Sequence, residues 1–263
     1  LITKFSLLFV PFLCGLSLKA TAQQKAAPDE SPDLAFAIYR TSDTVPPYDL
    51  DKVKALIDSE KRREKKPGSK RLGDTFVILP DHVFAALPFE EKFTYVMIHP
   101  ETYSQNCSAA VFMIGSQERI TGWLPGSRYS MLWSQRQTDF LHKNRSMVIA
   151  LLKQEIERGR HVGLNIKHAV SELNADSLIP SLVAAFQRDK KDVDILALLI
   201  MLMKQGNCAS FRRTPIYDKL YGKRIVRGLS MPAEGTTMGI PANDDNEKLI
   251  ESQAMAFYAS GVK

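Results

Sequence analysis

Residues 178–203 read LIPSLVAAFQRDKKDVDILALLIMLM, and this stretch decides the fold. Leu178, Ile179, Leu182, Val183 and Phe186 return at the spacing that lines one side of a helix. The charged run Arg188-Asp189-Lys190-Lys191-Asp192 reads as a turn, and Val193 to Met203 follow as a second helix, apolar on nearly every side. A helix without a polar face has to be buried all round, so it is expected at the centre of the molecule. Gly206-Asn207 stops it. The chain is therefore expected to be mainly α: antiparallel helical hairpins or a short α-solenoid-like bundle.

Upstream, Ser134 reads as an N-cap. Phe140, Leu141, Val148, Leu151, Leu152 and Ile156 carry helical periodicity to Gly159, which predicts one helix over 134–159. His161 to Leu173 is the next, through Leu164, Ile166 and Val170, with Asn174 and Asp176 marking a turn. The alternation resembles the helical-hairpin repeats of the HEAT and armadillo families. Leu178-Ile179-Pro180-Ser181-Leu182, the turn Asp189 to Asp192, and Val193 to Met203 carry the likeness. Met147 to Leu173 is a looser copy without the proline. The resemblance covers residues 147–203, two units where a solenoid normally stacks three or more. It implies stacked helices that present a surface to a protein partner and carry no chemistry of their own.

The helical-hairpin region is taken as 134–227, with Pro215 to Leu220 as a further helical turn or two. Residues 228–263 read as an extended tail, rich in Gly, Pro, Thr and Asp to Asn246. Glu247 to Tyr258 has helical composition and can dock through Leu249, Ile250, Met255 and Phe257. Before the hairpins, residues 48–133 form a helical and irregular region with a small β-containing part. Asp49 is placed to cap a helix lined by Leu50, Val53 and Ile57, which runs to Pro67-Gly68. Thr75 to Leu79 is a short β-rich run, Asp81 caps His82 to Leu87, and Pro88 opens a helix to Ile98. Residues 101–133 are punctuated by Gly115, Gly122, Pro125 and Gly126, with Trp123 and Trp133 expected to pack them onto the helices.

Residues 1–22 have the anatomy of a signal peptide: Lys4, an apolar run from Phe5 to Leu18, then small residues in Ala20-Thr21-Ala22. Export to a periplasmic or extracellular space is expected, with Gln23 as the new N-terminus, Cys14 discarded with the leader, and 23–47 as a flexible arm. Lys4 and Lys19 leave too, so the formal charge falls from +6 to +4, 33 basic residues against 29 acidic. So mild an excess argues against a nucleic-acid partner. No later apolar run reaches the roughly 20 residues of a membrane span, so no transmembrane segment is expected in the mature chain.

Chemistry-bearing side chains concentrate in His99-Pro100-Glu101-Thr102-Tyr103-Ser104-Gln105-Asn106-Cys107, where a helix ends. Two uses are open. His99, Glu101, Tyr103, Gln105 and Asn106 can line a polar binding pocket. Alternatively His99 can act as base for a Cys107 thiolate, since a thiol nucleophile needs one. In an oxidising compartment, Cys107 and Cys208 are also expected to pair as a disulfide. The basic run Lys61, Arg62, Arg63, Lys65, Lys66, Lys70 and Arg71 reads either as a solvated helix end or as a contact for anionic lipid or polysaccharide. His161 and His168 are too far apart along a helix to share a metal without other ligands. No metal or cofactor is expected. The leading reading is an exported, non-catalytic interaction or scaffold protein whose partner is another envelope or extracellular protein. The alternatives are a small hydrolase or transferase using Cys107 and His99, and an anionic-surface binder through 61–71.

Overall fold

The helix Val193–Gln205 has every side chain from Val193 to Ile200 buried, and Leu202 and Met203 as well. Each fully buried leucine there contributes roughly 1.5–3 kcal/mol relative to exposure. Such a helix needs neighbours on all sides, and the remaining elements supply them. The computed structural model describes residues 32–64, 78–103, 115–126, 131–226, 229–232 and 238–261, all within one compact unit. It is mainly α.

In chain order the helices are α1 (Pro32–Arg40), α2 (Leu50–Glu64), α3 (Asp81–Ala86), α4 (Phe89–Ile98), α5 (Gln135–Lys143), α6 (Arg145–Arg158), α7 (Leu164–Glu172), α8 (Ile179–Arg188), α9 (Val193–Gln205), α10 (Ala209–Arg212), α11 (Pro215–Tyr221) and α12 (Asp244–Ala259). Interspersed are short strands: β1 (Thr102–Tyr103), β2 (Arg119–Ile120), β3 (Met131–Leu132), β4 (Lys223–Val226), β5 (Leu229–Pro232) and β6 (Ile240–Pro241). They form antiparallel two-stranded pairs, β1 with β3, β2 with β6 and β4 with β5. α9 packs against α7, α8, α10, α12 and β2, while α6 lies on α7 and α8, and α2 on α4. No helix among the described residues is long and apolar enough to cross a membrane.

Helix ends follow their sequence signals in part: Asp81, expected as a cap, is instead the first residue of α3 behind the N-cap Pro80, and Asp49, expected to cap α2, lies at φ 47°. Ser134 and Gln137 form a reciprocal capping box at α5. Asn243 Oδ1 accepts from Asn246 N at 3.0 Å, and Asp244, Asp245 and Glu247 sit where the dipole of α12 favours negative charge. The single helix expected over 134–159 is instead two. Asn144 leaves helical geometry at φ −110° and ψ 27°, and its side-chain amide donates to Phe140 O at 2.8 Å. An asparagine amide offers the backbone an alternative to the ladder, which apolar periodicity cannot register. The region from 228 also holds more structure than an extended tail: β5 pairs with β4, and β6 ties the C-terminal part to Arg119–Ile120.

Of the arm expected over 23–47, the described part is α1 and the run after it, docked on the N-terminus of α7. Gly163, the N-cap of α7, has no side chain to satisfy the first amides. The arm does so from far away in sequence. Gly163 N donates to Thr44 Oγ1 at 2.8 Å, Leu164 N to Ser42 O at 2.8 Å, and Asn165 N to Asp43 Oδ1 at 3.1 Å. Asn165 returns the contact, donating to Thr44 O at 2.7 Å and accepting from Thr44 N at 2.9 Å.

Glycine is required at 163 because a Cβ there would lie 1.9 Å from Thr44 N. Gly163→Ala is expected to cost about 1–3 kcal/mol as overpacking against backbone that cannot yield. Urea denaturation would read the loss, and hydrogen exchange at the Thr44 amide would accelerate. An unchanged midpoint would mean that the arm is not held here.

Candidate functional site

The loop beyond α4 brings Glu101 into a knot of side chains from four segments. Its carboxylate is almost wholly buried. Oε1 accepts from Tyr95 Oη at 2.7 Å and from Arg136 Nη2; Oε2 accepts from Ser134 Oγ at 2.5 Å and Arg136 Nε at 2.9 Å. Arg136 in turn donates to Asp81 Oδ1 and Leu79 O, and its guanidinium stacks on Phe84. Burial works against the charge on Glu101, but hydrogen bonds from Arg136, Ser134 and Tyr95 together hold it below the usual carboxylate range. Gln137, fully buried, closes the knot: it accepts from Glu101 N at 3.1 Å and donates to His99 O at 2.8 Å. A carboxylate receiving four hydrogen bonds is a fastening and has no lone pair left over for a substrate proton.

His99 lies beside this knot, its ring 5.3 Å from that of Tyr95. Tyr103 ends β1, opposite Met131. Gln105, Asn106 and Cys107 fall outside the described residues, so the pairing of His99 with Cys107 does too. Cys208 is described: it is a free thiol, buried at the start of α10, with Sγ 3.3 Å from Ser210 Oγ. Cys208 packs into the core as a small apolar group, and the expected bridge to Cys107 is not shown, since Cys107 lies outside the described residues. Of the basic run, Lys61 and Arg62 are exposed near the end of α2, Lys61 lying 3.5 Å from Asp58. Arg63 belongs to α2, and Lys65, Lys66, Lys70 and Arg71 lie outside the described residues. The described His, Cys, Asp and Glu residues form no group of three or more suited to hold a metal ion.

A second assembly, not foreseen from sequence, sits where α9 begins. Asp192 and Asp194 are buried there and meet cations from two distant elements. Lys167 of α7, with no exposed surface, donates to Asp192 Oδ1 at 2.5 Å. Arg40, the last residue of α1, takes Asp194 with a two-pronged contact at 3.1 and 2.6 Å. His161 Nδ1 stands 3.4 Å from Asp192 Oδ2, and the ring is covered by Tyr39 at 4.3 Å between centroids. Tyr39 donates to Asp189 Oδ2 at 2.7 Å. Burial opposes the charge on Asp192, yet Lys167 and His161 bring its carboxyl below the ordinary range. Burial pushes the Tyr39 hydroxyl up and the His168 imidazole down, so Tyr39 stays protonated and His168 neutral while it contacts Pro125 O. The signal was present in the sequence as a lysine within the apolar stripe of α7 and as two aspartates at the head of an apolar helix.

No family model matches the chain, and neither a curated protein nor a solved structure does.

Two buried glutamates give opposite pH signatures. Glu101 is held below its ordinary value, so its stabilisation is present above about pH 4.3 and is lost as pH falls through the folded value. Glu101→Gln is expected to cost about 3 kcal/mol at pH 7, with the gap to wild type closing in acid. Glu155 on α6 is the reverse. Burial raises it, chiefly, against the opposing charge of Arg158, and its Oε1 has no hydrogen-bond partner among the described residues. Its folded form is favoured at low pH and penalised as pH rises through the folded value. Glu155→Gln should therefore raise the thermal midpoint at pH 8 and leave it unchanged near pH 3. Thermal melts of both variants across pH check the two signs, and parallel profiles would refute the assignment.

Proposed function

We propose that the chain is an exported, non-catalytic interaction or scaffold protein of the cell envelope or extracellular space, whose partner is another protein of that compartment. The saturation of Glu101 carries this reading. The one carboxylate within the described part of the candidate loop fastens α4, α5 and the segment before α3 together, and its four hydrogen bonds leave it no role as acid or base. At the head of α9, Asp194 is likewise paired with Arg40 and Asp192 Oδ1 with Lys167. The hairpin likeness over 147–203 and the leader-like residues 1–22 support the reading from the side of sequence.

The test has two parts. Expressed in a bacterial host with its leader, the protein is expected outside the cytoplasm with an intact mass that starts at Gln23. A hydrolase and transferase substrate panel is expected to reveal no turnover that the His99→Ala, Cys107→Ala double variant abolishes. Turnover that fell about 100-fold or more in that variant would replace the scaffold reading with a thiol enzyme. Retention of an uncleaved chain in the cytoplasm would remove the assignment to the envelope.

A further inference from the structure

The run Tyr39–Thr44 is bound like a peptide ligand. Beyond local hydrogen bonds within the arm, its partners lie more than 100 positions away: Asp189 for the Tyr39 hydroxyl, Asp194 for the Arg40 guanidinium, and the first amides of α7 for Ser42, Asp43 and Thr44. The groove reads side chains, since an aromatic hydroxyl, a guanidinium and a short carboxylate each meet a complementary group. It also reads backbone, because the missing Cβ of Gly163 lets Thr44 approach in van der Waals contact.

The connection to the body is short. Tyr48 is pinned, its carbonyl accepting from Thr94 Oγ1 at 2.8 Å and its ring edge-on to Phe93. Between it and Thr44 lie only Val45, half exposed, and the stiff pair Pro46-Pro47. Directly after comes Asp49, held at φ 47°, a left-handed conformation unfavourable for a residue with a side chain. A short hinge that carries a specifically bound element is a circumstance in which that element can pass between identical chains.

We propose that the α1 arm is exchanged between two copies of this chain, each groove taking residues Tyr39–Thr44 of the other molecule. Every contact of the closed monomer is remade in the pair, because donor and groove are the same in both. The occupant is a second copy because the groove matches this segment at Tyr39, Arg40, Asp43 and Thr44 together. Exchange requires only the seam between α1, α7 and α9, and holds whether or not the chain is exported.

Complementation between two full-length variants tests it. Arg40→Ala leaves Asp194 buried without its cation, and Asp194→Ala leaves Arg40 without its anion. If arms exchange, an equimolar mixture refolded together forms a heterodimer with one native seam and one seam lacking both charges. Native mass spectrometry is expected to show that heterodimer in excess over either homodimer, with a thermal transition above that of each variant alone. A mixture that remains monomeric, melting as the two separate variants do, overturns the proposal. If either variant fails to fold, wild-type chains with and without isotope label, refolded together at high concentration, decide instead. A mixed-mass dimer that is lost in Gly163→Ala supports exchange; monomer throughout, or a dimer indifferent to Gly163→Ala, refutes it.

Discussion

The buried charge at the head of α9 is the constraint on which the rest of the structure depends. A helix apolar on nearly every face must be enclosed, and enclosing it also withdraws its N-terminus from water. The helix dipole favours acidic groups there, and Asp192 and Asp194 occupy those positions. Burial then makes each carboxylate costly unless a cation reaches it. Lys167 and Arg40 are those cations, so the places of α7 and α1 follow from the electrostatics of α9 as much as from apolar packing. Removing one member of such a pair typically costs about 3–5 kcal/mol, although the intact pair adds little net stability. Its contribution is to specify which segments meet.

The same logic recurs at Glu101, where Arg136 is the cation and Tyr95, Ser134 and Gln137 complete the polar shell. In both places a buried acid joins elements separated by long stretches of chain. α1 is joined to α9 across 154 positions, and the loop after α4 to α5 across 35. The molecule thus uses its buried ionisable groups as joints between layers. Glu155, buried beside Arg158, has like Asp192 one oxygen unsatisfied among the described residues, but differs in its titration, which burial rather than partnership dominates.

Much of the helical framework was legible because its cause is local. The apolar runs of α8 and α9, the Pro88 opening of α4 and the capping residue of α5 announce themselves through periodicity and end chemistry. What escaped was decided by non-local contacts. α1 reads as a short apolar patch in a polar stretch, and it is shaped by Tyr39 and Arg40 reaching Asp189 and Asp194. The break at Asn144 turns on one side-chain amide inside an otherwise continuous pattern. Glu101 and His99 were singled out from the residue types of their loop, and their surroundings show Glu101 to be a joint.

Sequence alone determined that this is a mainly α protein with Val193–Met203 at its centre, because helical periodicity and an all-round apolar surface are properties of neighbouring residues. Tertiary structure alone decided that Lys167, Arg40, Asp192 and Asp194 meet, and that residues 42–44 cap a helix more than 100 positions further on. The physical reason is that a buried charge is tolerated only where its partner lies in space, and no spacing along the chain records that distance.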